Sequence, residues 1–143
     1  MTTPNLFFAE PHIVEALRVG VPALKSVGTW GELPESITEM GATPAAYVIF
    51  EGTGKAENSG GGSITQQFWT VAIAMNLGQT KAGADEKRAL VGELLAQADA
   101  MCHGLKLPKS FPLELYDGPG VRYYKGGQAV FYLTYALTSP LLR

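Results

Sequence analysis

Apolar positions along the chain change period several times, and each change marks an element. Over residues 64–77 the alternation is strict. Trp69, Val71, Ile73, Met75 and Leu77 take one face, and Gln66, Thr70 and Asn76 take the other, which predicts a long strand. Residues 45–51 form a continuous apolar run after Pro44, the pattern of a strand covered on both faces. Over residues 85–105 the period becomes helical: Leu90, Val91, Leu94, Leu95, Ala98, Met101, Cys102 and Leu105 fall on one stripe, with Gly104 and Pro108 as the stop. A shorter helix is predicted over residues 10–19. Pro11 suits its first turn, Ile13, Val14 and Leu17 share a face, and Gly20 and Pro22 end it. Residues 24–33 read as a strand or an irregular edge around Trp30, and residues 34–43 as a turn or short helical stretch.

The last third returns to strands at residues 113–116, 121–125 and 128–137, separated by Gly118-Pro119-Gly120 and by Gly126-Gly127. A two-residue Gly-Gly link is a hairpin signal. In the last of these strands Ala129, Phe131, Leu133, Tyr135 and Leu137 share one face. Runs of strands interrupted by helices predict an α+β fold: a mainly antiparallel sheet of four to five strands packed against one long and one short helix. The 143 residues suit a single domain spanning 1–143.

Two segments stand out from this plan. On the long helix the side opposite the apolar stripe is smooth: Ala89, Ala96 and Ala100, with Gly92 at the margin, where a solvated helix usually carries charge. Either alanine serves there as a good helix former, or another backbone packs closely against the strip as a subunit interface. Residues 52–63 contain five glycines and no large apolar side chain, so they are expected to form a mobile loop. Gly54, Lys55, Glu57, Asn58 and Gly61 are its candidate assembly residues, and a tolerated insertion is the alternative.

Composition narrows the possible chemistry. Hydrophobic residues make up 46% of the chain and charged residues only 17%, a charge deficit that hints at surface covered by a partner. Net charge is −2, and no three of the 11 Lys and Arg are consecutive, which argues against strong direct nucleic-acid binding. No segment approaches the roughly 20 apolar residues of a membrane helix, and residues 1–5 lack the features of a signal peptide. A single cysteine, Cys102, fits a reducing cytoplasm. Gly52-Thr53-Gly54-Lys55 fails as a phosphate loop, because Ile49 stands where the first glycine belongs and Ala56 follows the lysine. Cys102 and His103 are neighbours on a helix, pointing about 100° apart, and so do not form a thiolate–imidazole pair. His103 reads as a cation near a helix end, and His12 lies in the first turn of another helix. Glu32, Glu35 and Glu39 read as surface carboxylates, and Tyr123, Tyr124, Tyr132 and Tyr135 as core or interface aromatics. No catalytic residue, metal ligand or cofactor is expected.

The order of elements has a familiar counterpart. The Glu10-Pro11-His12-Ile13 helix start, the segment Thr43-Pro44-Ala45-Ala46-Tyr47-Val48-Ile49, the long strand at 64–77, the amphipathic helix after it and the hairpin from Tyr123 to Leu137 together resemble the tail terminator proteins of long-tailed bacteriophages, most closely Mu-like minor tail proteins. The resemblance covers roughly residues 10–140. It implies a homohexameric ring that caps the tail tube, stops its polymerisation and offers a surface for head–tail joining. The implied partners are other copies of the chain, the tube protein, the sheath protein in contractile tails and head–tail connector proteins. The implied location is the host cytoplasm during assembly, then the virion tail. A different neck or tail-completion protein is the nearest alternative, and a small cytoplasmic enzyme or ligand-binding module is the alternative from another class.

Overall fold

A computed structural model describes residues 5–32, 42–55, 65–78, 80–108, 110–125 and 127–139. The elements in chain order are α1 (Ala9–Gly20), β1 (Ser26–Thr29), a 3-10 turn (Trp30–Glu32), β2 (Ala45–Lys55), β3 (Thr65–Asn76), α2 (Lys81–Cys102), β4 (Glu114–Lys125) and β5 (Gln128–Ser139). The strands form one sheet in the order β1-β2-β3-β5-β4. The β1–β2 pair is parallel and the other pairs are antiparallel. The fold is therefore α+β, with a mainly antiparallel sheet, one long helix and one short one.

The alternation in β3 places its odd positions as expected. Trp69, Val71, Ile73 and Met75 are buried, as is Leu77 just beyond the strand. In register they meet Tyr135, Leu133, Phe131 and Ala129 of β5. Both helices cover this face: Ile13, Val14 and Leu17 from α1 and Val91, Leu94, Ala98 and Cys102 from α2 join the same core. The helices also touch each other at Gly20, where a Cβ would lie 2.2 Å from Met101 Cγ. Gly20 thus ends α1 and also lets α2 approach it. The hairpin signal at residues 126–127 is met as well. Lys125 pairs with Gln128, and Gly127 has φ +82°, while a Cβ there would come 2.5 Å from Gly78 O.

Several expectations need correction. Helix α2 starts at Lys81, four residues before the predicted Asp85. The Thr80 hydroxyl accepts the Gly83 N–H at 3.1 Å and caps the helix, but Gly83 stands where a capping box would show Glu or Gln, so the start signal is weak. The helix also ends at Cys102 rather than 105, because Gly104 turns the chain at φ +81°. Gly118-Pro119-Gly120 does not divide two strands. β4 runs through it with register shifts, and bulges absorb the irregular residues. Of residues 24–33, 26–29 form the short β1 and 30–32 the turn after it, while residue 33 lies outside the described residues. Of residues 34–43, 34–41 lie outside the described residues.

Thr70, on the other face of β3, is buried as well. Its hydroxyl shares a 2.8 Å hydrogen bond with that of Thr134 on the sheet face away from the helices. That face folds over itself. The Phe68 ring on β3 meets the Tyr116 ring on β4 at 4.7 Å, passing over β5. Arg122 on β4 pairs with Glu51 on β2 at 2.5 Å, passing over both central strands, and its guanidinium lies 5.0 Å from the Tyr132 ring centre. These side chains lie across the outer face. The small residues Thr70, Thr134 and Ala136 lie buried on it.

Candidate functional site

Among the described residues, Cys102, Asp99 and Tyr135 lie together at the end of α2, with His103 next in the chain. Cys102 is buried in the core, and burial, with the nearby Asp99 carboxylate adding to it, pushes its thiol up to about 12. The Tyr135 hydroxyl donates to Asp99 Oδ1 at 2.7 Å, and burial first, then that bond, raises its pKa. His103 is not paired with Cys102. Its Nδ1 accepts the Leu115 N–H at 3.1 Å, so it holds the start of β4 against the end of α2. His12 lines an open groove between the helices with Pro11, Glu15, Ala16, Val19, Met101 and Leu105. Among the described residues no three His, Cys, Asp or Glu side chains are grouped to hold a metal. No described helix is long and apolar enough to cross a membrane.

The small-residue strip keeps its predicted place. Ala89, Gly92, Ala96 and Ala100 are all exposed on α2, on the side away from the core. The structure adds what lies beside them. Gly92 and Ala96, with Leu95 and Asp99, form one wall of a groove of about 230 Å³, and Pro119 and Leu133 form the other. A Cβ at Gly92 would meet nothing within 4 Å. Gly92→Ala is therefore expected to stabilise the dilute subunit by about 1 kcal/mol, the difference in helix propensity, read as a higher urea midpoint. An unchanged or lower midpoint would show that the helix is not free at this point.

The proposed assembly loop is corrected in part. Gly54 and Lys55 belong to β2, paired with Gln66 and Thr65, so the strand extends through residues 52–55. The Gly52-Thr53-Gly54-Lys55 segment is accordingly extended rather than curled as a phosphate loop. Glu57, Asn58 and Gly61 lie outside the described residues, as do Glu35 and Glu39.

Two features escaped the sequence pattern. Gln67 occupies an inner position of β3 and is buried. Its Nε2 donates to Leu6 O at 2.6 Å, and its Oε1 accepts from Trp69 Nε1 at 3.0 Å. It thereby ties the segment before α1 to the sheet. An amide on an otherwise apolar face was the available signal. The second feature is the free edge of β4, where Tyr116, Val121 and Tyr123 are exposed. The broken pattern around Pro119 hid it.

Comparison with known proteins decides the family: the family model described as phage tail terminator protein matches residues 4–141. The chain belongs to the phage tail terminator family. A search of curated proteins finds no match. Membership in the terminator family gives the protein a structural role in a phage tail, in association with other tail proteins.

Proposed function

We propose that this protein forms the ring, a hexamer, that caps a finished tail tube, halts its polymerisation and presents the surface to which the head is joined. The family match over residues 4–141 carries this reading. The low charge content and the exposed strip Ala89, Gly92, Ala96 and Ala100 support it, because ring contacts need surface that can lose its water cheaply. Its partners on this reading are further copies of itself, the tube protein below and head–tail connector proteins above, with the sheath protein added in contractile tails. Assembly takes place in the host cytoplasm and ends in the virion tail.

The test is tail length. Phage lacking this protein is expected to produce tubes of uncontrolled, excessive length that fail to join heads, measured by electron microscopy of lysates. Added purified protein should bind one end of isolated tubes as a ring and restore joining. Tubes of normal length and normal joining in its absence would refute the role.

A further inference from the structure

A single charge stands in the groove between α2 and the sheet. Gly92, Leu95 and Ala96 line it from the helix and Pro119 and Leu133 from β4 and β5, and Asp99 is the one charged residue among them. Asp99 is held in place. Its Oδ1 accepts the Tyr135 hydroxyl at 2.7 Å, which makes Tyr135 a positioning residue for the carboxylate. Its other carboxylate oxygen has no partner among the described residues, and no described lysine or arginine pairs with it. No side-chain oxygen described here is both buried and unpartnered, so that second oxygen is open to solvent. The groove thus carries a fixed carboxylate with one face unused.

Size and lining decide between occupants. At about 230 Å³ the groove is smaller than the roughly 300–1,000 Å³ of pockets that enclose a small-molecule ligand, so it suits one side chain laid along it. An anionic group would meet the Asp99 charge. A purely apolar side chain would fit the walls but strip Asp99 of water with no charge to compensate, which is costly. A cation on an aliphatic stem satisfies both parts, with methylenes on the walls and the head at the unused oxygen. Arginine suits better than lysine, because its guanidinium is more weakly hydrated. The described arginines of this chain are already engaged: Arg18 donates to Val27 O, Arg88 pairs with Asp85, and Arg122 pairs with Glu51.

We propose that this groove is the docking site for an arginine side chain of a different tail protein, with its stem along Leu95, Pro119 and Leu133 and its guanidinium on Asp99. The proposal rests on membership in the terminator family, which places other tail proteins beside this one, and not on the ring. Gly92 supports it. Glycine weakens a helix interior, and a Cβ at this position would meet nothing within 4 Å, so no contact inside the subunit calls for glycine there. The open space above it serves something from outside.

The test measures binding to tails from phage that lack this protein. Asp99→Asn keeps an oxygen to accept the Tyr135 hydroxyl and removes only the charge. It is expected to bind these tails at least about tenfold more weakly than the wild type, with self-association unchanged in sedimentation. Wild-type binding should also fall more steeply with added salt than Asp99→Asn binding does. Ala96→Leu, at an exposed helix position, narrows the groove without touching the carboxylate, and is expected to weaken tail binding at least about tenfold as well. Circular dichroism and melting identify a variant that fails to fold, and the other then decides the matter. A folded variant that binds tails like the wild type overturns the proposal. If Asp99→Asn loses self-association, the occupant is a second copy and the assignment to a different protein is overturned. A wild type that binds tails but forms no ring refutes the ring reading alone, and the comparison of variants still decides the groove.

Discussion

Trp69→Ala is expected to remove about 3–5 kcal/mol of stability, the usual cost of deleting a large buried aromatic and leaving a cavity. Trp69 is 0% exposed. Its ring packs 5.2 Å from Phe50 and 6.2 Å from Phe7, so three elements lose contact at once. The substitution also deprives Gln67 Oε1 of its donor while Gln67 stays buried, which adds the cost of an unsatisfied amide. Domains of this kind have only about 5–15 kcal/mol in total, so the variant should unfold at markedly lower urea. Trp69→Phe should recover much of the packing but not the hydrogen bond. A midpoint for Trp69→Ala within a few tenths molar of the wild type would contradict the role assigned to this ring.

The second large effect is alkaline. Cys102 titrates near 9.0 in a free chain and is pushed up to about 12 in the fold, first by burial and then by the Asp99 charge. Below pH 9 the thiol is protonated in both states and its contribution is fully present. Between pH 9 and 12 the unfolded chain releases the proton and the folded one keeps it, so stability falls by about 1.4 kcal/mol per pH unit. Tyr135, raised in the same sense by burial and by Asp99, adds to the loss above pH 10. Urea midpoints at pH 8, 9 and 10 should fall steadily in the wild type. Cys102→Ala costs about 1–2 kcal/mol at neutral pH through lost packing but should show a flatter decline between pH 9 and 10. Equal slopes in the two proteins would remove Cys102 as the cause.

The inner face of the sheet was legible because burial and alternation coincide there. In β3 and β5 every second side chain must face the helices, and the sequence from Trp69 to Met75 and from Ala129 to Leu137 obeys this without exception. The outer face was not legible. Thr70 is a polar residue on that face, and its partner Thr134, 64 residues away, satisfies its hydroxyl in the buried position. The same distance problem hid Arg122 with Glu51, since no local pattern reports a contact across two intervening strands. Bulges defeated the reading of β4, because an inserted residue shifts the faces and erases period two. On α2 the small residues were visible as a missing charge pattern, but that Pro119 and Leu133 stand opposite them as the other wall of a groove was not.

The central pairing of the sheet joins β3 to β5, residues 65–76 to residues 128–139, with α2 and β4 made in between. During synthesis the first hairpin and both helices leave the ribosome before β5 exists. Until β5 arrives, β3 has an open side and Trp69 has no Tyr135 opposite it. A partly made chain thus lacks the seat for β4 and cannot display a finished second edge. The order of strands acts as a completeness check, in which the sheet is finished only after the last strand has been inserted between β3 and β4.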